Sequence, residues 1–86
     1  MKHFAASRFW RCLEALPEEV QAVARRNYAL LRDNPTHPSL QFKAIGGGRY
    51  YSVRVGLHYR ALGAPVSGGI QWFWIGSHAE YDKLVG

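Results

Sequence analysis

The chain has 86 residues, 48% of them hydrophobic, enough for one small domain spanning residues 1–86 and too few for a second core. Its net charge of +5 and pI near 9.8 argue against an acidic or polyampholyte-like surface and for a polyanionic partner. Cys12 is the only cysteine, which excludes an internal disulfide, and no apolar run reaches bilayer length.

The N-terminal Met1-Lys2-His3-Phe4 lacks the apolar core of a signal peptide, so a soluble, cytoplasmic chain with no membrane partner is expected. A short helix is predicted from about Ser7 to Leu16, with Phe9, Trp10, Leu13 and Leu16 on one face and Cys12 packed among them. Pro17-Glu18-Glu19 is a helix start: proline suits the first turn and acids there complement the macrodipole. The second helix should run from Pro17 to about Arg32. It should bury Val20, Val23, Ala24, Leu30 and Leu31 and leave Arg25, Arg26 and Arg32 in solvent. Asn34-Pro35 stops it, and His37 is expected to order the turn that follows.

Beyond that turn the periodicity becomes two. Leu40-Gln41-Phe42-Lys43 alternates, Gly46-Gly47-Gly48 makes a hairpin turn, and Tyr51-Ser52-Val53-Arg54-Val55 alternates strictly. After a turn at Gly56, a strand runs from Tyr59 to Ala64, and a loop through Pro65, Ser67, Gly68 and Gly69 leads to Ile70–Ile75. That last run is apolar on both faces, as in a covered central strand, so Trp72 and Trp74 belong to the core. A helical turn is predicted for Ala79–Val85. The layout is α+β: an N-terminal helical hairpin packed on a small, mainly antiparallel sheet of about three to four strands. The other sheet face is expected to stay open and to display Arg54 and Arg60.

No aspartate or glutamate lies between Asn34 and Ala79, whereas Lys43, Arg49, Arg54, Arg60 and three histidines do. A sheet with such side chains carries a positive potential that attracts phosphate or an acidic protein. Lys43, Arg49 and His58 are candidate contacts for such a phosphate-rich partner on this basis. Arg54, His58-Tyr59-Arg60 and Ser77-His78 should converge at one end of the sheet. Arginine binds phosphate through two parallel hydrogen bonds, and histidine can exchange protons near neutrality. Taken singly, Tyr59 is a packing residue, His58 a turn residue and Arg54 a solvated strand residue. Their clustering carries the functional reading. His78, Glu80 and Asp82 match no zinc spacing, so no metal or other cofactor is expected.

The order helix, Leu16-Pro17, second helix, Asn34-Pro35, Arg54-Val55-Gly56, Tyr59-Arg60, Trp72–Gly76, His78 and Tyr81 resembles the RelE/ParE superfamily of toxin–antitoxin toxins. The likeness spans essentially the whole chain, and NPTHPSLQFK and WFWIGSHAEYDKL narrow it to a RelE-like bacterial subgroup. It implies a toxin that cuts messenger RNA, usually on the ribosome, and is neutralised by a small acidic antitoxin encoded beside it. The alternatives it carries are a ParE-like inhibitor of DNA gyrase and a non-catalytic antitoxin-binding module of the same fold. By this resemblance Arg60 holds the scissile phosphate and Arg54 is a neighbouring basic position. Tyr81 is the C-terminal tyrosine, and His78 takes the basic position before it. Ser52 stands where RelE itself has a lysine. Cleavage without a metal needs a base for the 2′-OH, an acid for the leaving oxygen and cations for the phosphoryl charge. His78 suits the first two roles and the arginines the third, while Tyr81 suits base stacking or phosphate orientation.

Overall fold

In a computed structural model, which describes residues 2–86, helix α1 (Ser7–Glu14) and helix α2 (Glu18–Asp33) lie against one face of a sheet. Met1, part of the N-terminal tetrapeptide read above, lies outside the described residues. Pro17 caps α2 in extended geometry, and Glu18 and Glu19 occupy its first turn. Gln21 Nε2 donates to the Leu16 carbonyl at 2.9 Å, which fixes the tight bend between the helices. At the far end the Asn34 N–H donates to the Leu30 carbonyl at 2.7 Å before Pro35 halts the helix.

The described residues form a sheet of five strands, ordered β1-β5-β4-β3-β2. They are β1 (Lys2–Ala5), β2 (Lys43–Ile45), β3 (Tyr50–Val55), β4 (Tyr59–Val66) and β5 (Gly69–Ser77). Strand β1 runs parallel to β5, and the other pairings are antiparallel. Periodicity gave no β1, because four residues show too little alternation to register. It also extended the β2 region too far back. Pro38–Leu40 is a 3-10 turn, and Gln41 adopts a left-handed φ of 43°, so the strand starts only at Lys43. Pro65, read as loop, continues β4. Gly46, Gly47 and Gly48 all take positive φ in the β2–β3 turn, a path that three side chains would strain.

Register sorts the side chains. Val53, Ala61 and Ile75 form a row across β3, β4 and β5 on the helix-covered face, with Leu13 and Leu31 packed above them. Full burial of a side chain such as Leu13 contributes about 1.5–3 kcal/mol relative to exposure. Ser52, Leu62 and Trp74 form a row on the opposite face. A bulge in β5 opposite Leu62 and Gly63 reverses the alternation, so Trp72 enters the helix-side core and Trp74 the other side. That other face is not open as expected. Helix α3 (His78–Val85) packs on β4 and β5 and buries Tyr81 against Leu62 and Trp74.

Candidate functional site

Three strands meet at the end of the sheet where α3 begins. Arg54 on β3, Arg60 on β4 and Gly76 on β5 are register partners, so they lie side by side on one face. The His78 N–H donates to the His58 carbonyl at 2.8 Å, which ties the start of α3 to the β3–β4 turn. Ser77 and Glu80 form a capping box that sets the helix entry: the serine hydroxyl accepts from the Glu80 N–H at 3.2 Å. This brings Arg54, His58, Arg60, His78 and Tyr81 to one end of the sheet. Lys43 is paired with Ser52 on the same face and stays exposed. Arg49 is exposed at the other end of β3 and does not join the cluster.

Arg60 is the main correction. It was expected on an exposed face, and it is only 3% accessible. Its Nε donates to Ser52 Oγ at 2.9 Å, one terminal nitrogen to Gln41 Oε1 at 3.2 Å, and the other to the Gln41 carbonyl at 3.4 Å. The Tyr81 ring lies 5.1 Å from the guanidinium carbon, a cation–π contact strengthened by the burial of both residues. Every one of these partners is neutral. A guanidinium cannot shed its proton at any ordinary pH, so Arg60 is a buried charge without a carboxylate. The acid-free composition between Asn34 and Ala79 explains why: no acid is near in sequence, and hydroxyl, amide and aromatic groups take its place.

The accessible chemistry is carried by the others. Arg54 is half-buried, with its Nε donating to the Gly56 carbonyl at 3.0 Å. His58 is exposed in the turn. His78 projects its ring into solvent, its Nδ1 lying 3.1 Å from Asp82 Oδ2 and its ring edge meeting Tyr81 at 5.8 Å. A carboxylate on Nδ1 favours the tautomer that leaves Nε2 as acceptor, the arrangement a general base requires. Among the described residues no three His, Cys, Asp or Glu side chains gather as a metal site.

Two participants escaped sequence reasoning. Asp82 was visible as the i+4 neighbour of His78 but was considered only as a metal ligand. Gln41 gave no local signal, because its left-handed backbone turns both its carbonyl and its amide toward Arg60 only in the folded chain. Outside the cluster, His37 orders its turn as expected, its Nδ1 accepting from the Ser39 N–H at 3.2 Å.

Residues 18–83 match the ParE-like toxin domain. The chain belongs to that family, within the RelE/ParE superfamily. Its fold is similar to the RelB–RelE antitoxin–toxin complex of Methanococcus jannaschii, with a TM-score of 0.73 at 18% identity, covering 96% of this chain and 99% of that one. YafQ from Escherichia coli strain BL21(DE3) gives a TM-score of 0.72 at 10% identity, covering 93% and 96% respectively. A copper-bound mutant toxin from Helicobacter pylori gives 0.62 at 16% identity, with 93% and 97% covered. No curated protein sequence matches the chain.

Proposed function

We propose that this toxin cuts messenger RNA on the ribosome and is held inactive by an acidic antitoxin encoded beside it. The observation that carries the reading is the exposed His78–Asp82 pair at the start of α3, tied to the end of an acid-free sheet where Arg54 is in register with Arg60. His78 Nε2 takes the proton from the 2′-OH as that oxygen bonds to phosphorus, and Arg54 faces the phosphoryl charge that develops. The P–O5′ bond breaks to leave a 2′,3′-cyclic phosphate, and water protonates the leaving 5′ oxygen. Lys43, Arg49 and His58 extend the cationic surface along which RNA would lie. Tyr81 is buried, so its ring holds Arg60 in place instead of meeting the RNA.

The burial of Arg60 favours a second reading, in which the same fold binds an antitoxin without cleaving RNA or acts on DNA gyrase. Ser52 supports it, because its hydroxyl is buried and spent on Arg60 where RelE has a lysine. Pulse labelling after induction separates the readings. RNA cleavage stops incorporation of labelled methionine first, gyrase poisoning stops labelled thymidine first, and a bare binding module stops neither. Co-expression of the adjacent acidic protein should restore growth in either toxic case.

A further inference from the structure

We infer that the cleft between the helical layer and the sheet is a binding site for one small aromatic molecule, between benzene and indole in size. The cleft has a volume of about 170 Å³. A space of this volume accepts a ring the size of benzene, and because its mouth is open, an entering ring displaces water from apolar walls. Four aromatic side chains from three elements line it: Phe9 and Trp10 from α1, Tyr28 from α2 and Trp72 from β5. Rings so distributed offer both faces and edges to a planar guest, which a purely aliphatic pocket does not. The floor includes Leu13, Val53 and Ile75, all buried. Trp10 and Tyr28 are 47% and 42% exposed, leaving the cleft a way in.

The polar lining decides the ligand class. Nearly all of the cleft's surface is apolar; its polar groups are Arg25, Asn27, the Tyr28 hydroxyl and the Trp10 and Trp72 indole N–H groups. Of these, Asn27 already donates to the Arg54 carbonyl at 3.2 Å and Trp72 to His3 Nδ1 at 3.1 Å. Nothing there matches the several donors and acceptors of a sugar or nucleotide, and the volume is that of a ring rather than a lipid tail. The same Asn27 bond joins the cleft to the cationic end of the sheet, so occupancy should be felt at Arg54. This site lies on the opposite sheet face from the one proposed for RNA, and it stands or falls independently of that reading.

Benzene and indole are the probes. With either at tenfold its dissociation constant, the melting temperature should rise by roughly 5 °C or more. Intermolecular NOEs should connect benzene protons to the methyl groups of Leu13, Val53 and Ile75. Ala24→Leu, which fills the cleft from the half-buried face of α2, should abolish both effects. Absence of these NOEs in the unmodified protein at saturating benzene overturns the proposal, whether or not the variant folds. Persistence of the NOEs in a folded Ala24→Leu protein places the ligand elsewhere and overturns it equally.

Discussion

Replacing Arg60 by alanine should unfold much of what it holds rather than merely silence a surface site. The residue is 3% accessible, with three hydrogen bonds to Ser52 and Gln41 and a tyrosine ring stacked on it. Truncation leaves a void, and large-to-alanine changes in packed interiors cost about 2–5 kcal/mol. It also strips the buried Ser52 hydroxyl of its partner, at about 1–3 kcal/mol for a stranded polar group. Against this, removing an unneutralised charge recovers several kcal/mol of desolvation. The net expectation is a loss of about 3 kcal/mol, a large part of the roughly 5–15 kcal/mol typical of a domain. Arg60→Met should lose less, near 1 kcal/mol, because it fills the space without carrying charge. Urea unfolding followed by the fluorescence of buried Trp72 and Trp74 measures both. If Arg60→Ala unfolds at the same urea concentration as the parent, Arg60 is not interior and the network is wrong.

His3 offers a pH test. Burial first, then the positive N-terminus and Arg32, hold its pKa below 6.5, and its neutral Nδ1 accepts the Trp72 indole N–H at 3.1 Å. The unfolded chain therefore takes up this proton at a higher pH than the folded one. The stabilisation is complete above about pH 6.5 and declines as pH falls toward the lower folded value. The difference between stability curves of the parent and His3→Phe should grow from pH 5 to 7.5; a constant offset would show that His3 is not coupled to folding. Gly76→Ala should destabilise by about 1–3 kcal/mol in thermal melts, because a Cβ there runs into the Trp74 ring. Asp82→Asn should slow RNA cleavage while leaving the melting temperature nearly unchanged, since exposed pairs contribute about 0–1 kcal/mol. An unchanged cleavage rate would remove Asp82 as the group that orients His78.

Helical faces and strict alternation were legible from sequence because each is a local pattern. Phe9 and Leu13, the Pro17 junction, and Tyr51–Val55 declared their elements, and Trp72 and Trp74 declared a covered strand. What was not legible depends on partners distant in sequence. Strand β1 exists because β5 offers it a parallel edge, and Ala5 finds Trp72 only across most of the chain. The bulge that sends Trp72 and Trp74 to opposite faces is a register event between two strands. The site was half readable. Arg54, His58, Arg60 and His78 do gather at one end, as alternation and turn positions implied, while Tyr81 was named only through the family resemblance. Arg60 was misplaced because alternation gives the face of a strand but not what covers that face. The cover is α3 and the left-handed turn at Gln41, and neither is encoded near Arg60.

The central claim is that this chain breaks RNA using His78 beside the cationic end of its sheet. Primer extension on a defined message in a reconstituted translation reaction tests it most directly, with the purified protein and its His78→Ala and Arg54→Ala variants. The account predicts discrete new 5′ ends with the parent protein, reduced on the order of 100-fold or more in each variant. Intact message with the parent protein, or undiminished cleavage by His78→Ala and Arg54→Ala alike, would contradict it.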